Sequence, residues 1–300
     1  MNFEDKSKES VQDTIHYTDW ISLLGFFQEA EAIQYIHSQG VKQITLDEEW
    51  LGRIRISRAE ADKISGRLEL QPEVKNLEGY DDRIAKIKGD PTFQEHMMGM
   101  QSASFALVEL KSIHCFQTHL NKEYVETLMK TAPESDEFEK TVKFCLPTKD
   151  EKSQQEVLTA FNPTTNTFSA IVENLDFRII GNVQGEDNNT GRKFAGFAYG
   201  FGLPQISVVK YKGMILLKNG YHRAFSLFKK GHKFLPCLFL DTNQYQFTGG
   251  NLPGFFNMDL VMSNKSPVLS DFNSDIVLIV PRRRQKLVLN VHAEIQPVPM

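Results

Sequence analysis

Asn219, Gly220, Tyr221, His222 and Arg223 stand together between two apolar runs, and their types suit an anion. An imidazole titrates near neutral pH, and a guanidinium presents a forked array of donors that keeps its charge. If the chain enters a helix at Gly220, the first helical N–H groups add unpaired donors and a partial positive charge. A phosphate is the natural ligand for such a corner. The same residues have a plainer reading, in which the glycine shapes an ordinary turn and the arginine is solvated.

The flanking sequence supplies the elements that would hold this group. Gln205 to Tyr211 and Gly213 to Leu217 read as two strands turning at Lys212-Gly213. After the turn, Ala224, Leu227 and Phe228 recur at helical spacing and stop at Gly231, a residue type that often ends helices. Phe234 to Leu240 then reads as a buried strand. The predicted order is strand, strand, glycine turn, helix, strand.

With the residues in that order, the run from Gln205 to Asp241 resembles the core of the ParB/sulfiredoxin-like fold, where a strand leads into a Gly-x-His-Arg or Gly-x-Arg-Arg turn and a helix. A second stretch, Val108 to His119 followed by Glu123 to Met129, is similar to the first box of that family, a strand running through a Gln-Pro-Arg-like segment into a helix. His119 stands where the family often has arginine, and Thr118 where it often has proline. The two stretches cover roughly a fifth of the chain. The resemblance implies a mixed-sheet core and a nucleotide phosphate held at Asn219 to Arg223, with His119 facing the same pocket. It also implies a nucleoside triphosphate with Mg2+ as ligand, and Glu109 or Glu123 as the base or metal-holding carboxylate.

Departures from the family limit what carries over. Sulfiredoxins place a cysteine inside the turn, whereas this chain has Tyr221, so a thiol reaction at this turn is not expected. Chromosome-partitioning members continue into a DNA-binding helix-turn-helix, but the sequence after Asp241 reads as β-like and proline-rich. The two boxes are about seventy residues apart, so a large insertion separates them.

Composition bounds the remaining classes. At 300 residues, 24% charged and 41% hydrophobic, the chain has the make-up of a soluble globular protein. A net charge of −4 argues against general affinity for nucleic acid. No apolar run is long enough to span a bilayer, so no membrane partner is expected. The N-terminus has no signal-like apolar segment, and Cys115, Cys145 and Cys237 are odd in number and widely spaced. Together these point to a cytoplasmic, reducing environment.

The sequence divides into a helical N-terminal region (1–104), a ParB/sulfiredoxin-like core (105–241) with an insertion at about 131–203, and a β-rich C-terminal extension (242–300). The expected class is α+β. Ile21 to Ile36 reads as one long helix capped by Thr18 or Asp19, and Ser57-Arg58-Ala59-Glu60 as a capping box starting another. Asp81 to Lys88 reads as a solvated helix or loop, and Met97, Met98 and Met100 as core filling. Within the insertion, Phe138 to Pro147, Phe168 to Val172 and Asp176 to Gly181 read as strands, with a turn at Asn162 to Asn166. Gly185 to Gly191 reads as a polar loop. Phe194 to Gly202 alternates glycine with aromatic residues, as a bent core strand does. In the extension, Asp275 to Val280 and Lys286 to Val291 read as a hairpin whose tip carries Arg282, Arg283 and Arg284.

Three functions fit this sequence. The first is nucleotide binding at Asn219 to Arg223, with or without phosphotransfer or hydrolysis. The second is a nucleic-acid-binding or nuclease-like protein using the arginine tip, since adjacent arginines can contact phosphates. The third is a non-catalytic module that keeps the fold and binds a protein partner.

Overall fold

A computed structural model describes residues 16–39, 47–97, 103–151, 157–172, 177–187, 190–250, 254–284 and 286–292. Strand β1 (Tyr17–Ser22) passes through a 3-10 turn into helix α1 (Glu29–Ser38), followed by α2 (Glu48–Asp62). Next come β2 (Val74–Asn76), α3 (Asp81–Lys88), α4 (Pro91–Met97), β3 (Ala103–Glu109), β4 (His114–Cys115) and β5 (His119–Asn121). Helices α5 (Lys122–Thr131) and α6 (Phe138–Cys145) lead to β6 (Leu158–Asn162), β7 (Thr167–Val172), β8 (Phe177–Glu186) and β9 (Lys193–Phe201). The last elements are β10 (Ser207–Tyr211), β11 (Met214–Asn219), α7 (Tyr221–Lys229), β12 (Phe234–Asp241), α8 (Met258–Val261), β13 (Leu278–Arg283) and β14 (Leu287–His292).

The chain is α+β. Its central sheet is mixed and six-stranded, in the order β2-β3-β12-β10-β11-β4. β12 runs parallel to β10 and β4 parallel to β11, while the other pairs are antiparallel. The β10–β11 hairpin forms where expected, because Lys212 (φ 48°) and Gly213 (φ 85°) both adopt the left-handed conformation of a tight two-residue turn. β10 and β11 are buried along most of their length, as strands covered on both faces are. A three-stranded sheet, β13-β1-β5, lies beside this core, and β14-β7-β6 and the β8–β9 ribbon complete the β structure.

Several local expectations give way to tertiary packing. Phe138 to Cys145 is a helix, not a strand: Thr141, Val142 and Cys145 fall on one helical face and are buried. Ile21 to Ile36 is not one helix. Its first residues form β1, held between β13 and β5, and only Glu29–Ser38 is helical, starting from Gln28. Ser57 caps nothing. It lies inside α2, whose cap is Asp47 accepting from the Trp50 N–H at 3.1 Å, and its own buried hydroxyl donates to the Ile276 carbonyl at 2.7 Å. That approach needs Gly25, where a Cβ would come within 2.6 Å of the Ser57 carbonyl oxygen.

Other expectations hold. The β6–β7 hairpin turns at Asn162 to Asn166, and β8 and β9 pair as a ribbon; two details are corrected, since β8 takes in Gly185 and Glu186 of the expected loop, and β9 is no core strand, its Phe197 and Tyr199 being exposed. α3 is a helix that buries Ile87, and Met97 packs against the core. Met98, Met100, Asn188 and Asn189 lie outside the described residues. All three cysteines are buried and free, and burial raises each thiol pKa, so Cys115 is not a reactive thiol beside His114. Among the described residues no helix is long and apolar enough to cross a membrane.

The expected C-terminal hairpin does not form. β13 pairs with β1, placing Tyr17 opposite Arg283, whereas β14 pairs with β7 in a different sheet. The three arginines therefore run out of the end of β13 and do not crown a turn. Arg282 lies folded over the Trp20 ring, 4.3 Å from its centroid. Backbone N–H groups of Arg283 and Arg284 donate to the Gln39 and His16 carbonyls at 3.3 and 2.8 Å.

Candidate functional site

Apolar spacing fixes where α7 begins and which way it faces. Ala224, Phe225 and Leu227 are buried, and α7 packs against α5. Burying Phe225 and Leu227 contributes about 2 kcal/mol each. Gly231 ends the helix at φ 80°, with the His232 N–H donating to the Leu227 carbonyl at 3.1 Å. At the other end, Gly220 takes φ 90°, and a Cβ there would meet Ile206 Cγ1 at 2.8 Å. Gly220→Ala therefore combines a left-handed backbone with a clash against a fully buried side chain. The expected loss is about 3 kcal/mol by urea unfolding; an unchanged midpoint would contradict this geometry.

The structure brings the two boxes together. β4 runs parallel to β11, pairing His114 with Leu216 and Cys115 with Leu217. The chain then forms β5 and enters α5, where the Asn121 side chain caps the helix by accepting from the Tyr124 N–H at 2.9 Å. The Asn121 N–H donates to His222 Nε2 at 3.0 Å, tying the start of α5 to the start of α7. Tyr221 is buried between the boxes, donating its hydroxyl to the Leu217 carbonyl and accepting from the Phe116 N–H at 3.2 Å.

Most side chains of the turn are held by the protein itself. Asn219 donates to the Leu203 carbonyl at 2.9 Å. Arg223 donates to the Phe144 carbonyl at 3.0 Å and to the Pro204 carbonyl, fastening the end of α6 and the approach to β10. The expectation that Arg223 is a forked cation waiting for phosphate is therefore corrected, because backbone carbonyls occupy its fork. His222 is likewise no donor at Nε2. It accepts a backbone N–H there, which places its proton on Nδ1. Burial lowers its pKa to about 4, so it is neutral at pH 7.

His119 is neutral too. Burial, then the charge of Arg282, then His222 bring its pKa to about 3. Its tautomer follows from its neighbours. Thr118 Oγ1 donates to the Gly254 carbonyl at 2.7 Å, so the 2.8 Å contact between Thr118 Oγ1 and His119 Nδ1 must be donation from the ring. Nε2 is left with a lone pair.

The two expected carboxylates stand differently. Glu123 is exposed in the first turn of α5, two residues after Asn121. Glu109 ends β3, three strands from β11, so at about 4.8 Å per strand it lies roughly 14 Å to the side. The arrangement gives Glu109 no path to a ligand at α7. Among the described residues, no three His, Cys, Asp or Glu side chains are grouped to hold a metal ion.

What α7 does offer is its backbone. Gly220 supplies no side-chain cap, and a helix cannot satisfy the N–H groups of Tyr221, His222 and Arg223 internally. Asn121, Trp20 and Tyr35, which surround the two histidines, have no counterpart in the sequence reading. Asn121 was legible as a cap residue before an apolar helical run; Trp20 and Tyr35 were not, because they reach His119 only through sheet pairing and helix packing. Compared with known proteins, the chain matches no family model, no curated protein and no solved structure.

Proposed function

We propose that this protein binds the phosphate of a nucleotide at the start of α7, through the backbone N–H groups of Tyr221, His222 and Arg223. The observation that carries this reading is the uncapped, left-handed Gly220 entry to a nine-residue helix beside the β4–β5 box. The helix end favours an anion, and the resemblance to ParB/sulfiredoxin-like chains points to a nucleotide as its source. Asn219, His222 and Arg223 shape the turn instead of touching the phosphate. Mg2+ would arrive bound to the triphosphate oxygens, since among the described residues no carboxylate cluster is placed to hold it.

Binding without phosphoryl transfer by this chain is the form of the reading that the side chains support. A general base works best with a pKa near the operating pH. His119 and His222 fall well below it. The test is a titration of the full chain with MgATP, MgCTP and MgGTP, followed by amide resonances of residues 221–223. Saturable shifts of those three amides are the expected result. Nucleotide binding that leaves them unmoved, or no binding of any of the three, would overturn the site.

A further inference from the structure

Leu158-Thr159-Ala160-Phe161-Asn162 is an uncharged run ended by Pro163, which has no N–H to offer a neighbouring strand. It forms β6, the outer strand of the β14-β7-β6 sheet. One side of β6 pairs with β7, from Leu158 opposite Ile171 to Asn162 opposite Thr167. All five residues of β6 are exposed, and among the described residues no strand pairs with its other side. Alternate N–H and C=O groups face outwards there without a ladder partner.

The side chains add an apolar component to this edge. Phe161 and Leu158 are 63% and 55% exposed. Alternation puts Thr159 and Phe161 on the face that carries Phe168, whose ring meets Tyr199 of the β8–β9 ribbon at 6.0 Å. Leu158, Ala160 and Asn162 lie on the other face. Other edges carry protection that β6 lacks. β4 and β5 have two and three residues, β2 has three with Lys75 in the middle, and β13 carries Pro281, Arg282 and Arg283. β14 is half-buried at alternate residues.

An uncharged, fully exposed edge is a template for another strand, and its residue order decides which strand fits. Set antiparallel to itself about Ala160, β6 faces Ala160 with Ala160, Thr159 with Phe161, and Leu158 with Asn162. The smallest side chain falls on the two-fold axis, and no like charges meet. The two Phe161 rings become diagonal neighbours on one face, at a spacing that aromatic side chains bridge. We infer that two copies of this chain pair through β6, antiparallel about Ala160, joining two three-stranded sheets into one. The contact is small, so the pairing is weak, with a Kd on the order of 10 to 100 µM. The inference stands apart from the nucleotide reading, since it uses no residue of α5 or α7.

The test is sedimentation velocity on the full chain from about 1 to about 500 µM, a range that brackets such a Kd. The mass is expected to rise from one copy towards two. Ala160→Lys and Ala160→Glu each set like charges opposite one another at the axis and should weaken pairing about 5-fold or more. A charge on an exposed edge strand costs the single chain little, so both variants keep the thermal midpoint of the unsubstituted chain. An equimolar mixture of the two variants sets an ammonium opposite a carboxylate and should restore the pairing. A chain that stays single at every concentration would overturn the inference. So would pairing of equal strength in each variant, or a mixture that associates no more tightly than its components.

Discussion

Lowering the pH from about 7 to about 5 is expected to remove about 4 kcal/mol of folding stability, with the loss beginning near pH 6.5. Three histidines are responsible. His114, His119 and His222 have pKa values lowered from 6.5 to about 4, 3 and 4, in each case chiefly by burial. Above pH 6.5 neither folded nor unfolded chains protonate them, so stability is flat. Below it the unfolded chain takes up protons that the folded chain refuses, and stability falls until the folded pKa is reached. At pH 5 the fully buried His114 accounts for about 2 kcal/mol, and the partly exposed His119 and His222 for about half that each.

Acidic groups modify this profile in both directions. Glu151, held at a pKa of about 2 chiefly by its hydrogen bonds from Arg83, contributes stability that is lost below about pH 4.5. Asp271 is raised by burial and acts in the opposite sense, gaining a proton in the folded state first. Thermal midpoints measured across the window should drop by about 6 °C. A profile that stays level from pH 7 to pH 5 would mean that these rings are not held neutral inside the fold.

The second large effect is expected at Arg223. Arg223→Met keeps the length and apolar stem but leaves the Phe144 and Pro204 carbonyls without their donor. The expected loss is about 3 kcal/mol in urea unfolding, from two partly buried acceptors deprived of charge-assisted bonds. Arg282→Gln is the informative contrast. Arg282 Nη1 has no partner to lose, so stability should change by no more than about 1 kcal/mol, the worth of its contact with Trp20. Equal effects at the two positions would contradict both assignments. A consequence for ligand studies follows: lost nucleotide binding in an Arg223 variant would report a disturbed α6–α7 junction as readily as a lost contact.

The reach of the sequence differed between the two halves of the candidate site. Gly220, the strands before it and the helix after it were legible because each is set by neighbours in the chain. Lys212-Gly213 dictates a tight turn, and Ala224 to Gly231 carries both the helical face and its stop. The roles of the side chains were not legible. Arg223 looks identical in sequence whether it awaits a phosphate or fastens two carbonyls contributed by residues 144 and 204. His222 becomes an acceptor only because Asn121, 101 positions earlier, presents its N–H.

Local patterns also misled where two element types share an apolar rhythm. Phe138 to Cys145 satisfies strand and helix equally on inspection, and the docking of one helical face decided it. Ile21 to Ile36 is continuous in hydrophobicity, yet β13 and β5 draw its start into a sheet.

By itself the sequence determined the α+β class, the β10–β11 and β6–β7 hairpins, the glycine entry and exit of α7, and the burial of β12, since turn chemistry and periodicity act over a few residues. Only the tertiary structure decided that β13 and β14 join different sheets, that Arg223 is held by carbonyls, and that Arg282 and Tyr35 meet around Trp20 and His119. Those outcomes depend on contacts between residues that lie from 19 positions apart, as Arg223 and Pro204 do, to more than two hundred, and no local preference encodes which distant surfaces will bury one another.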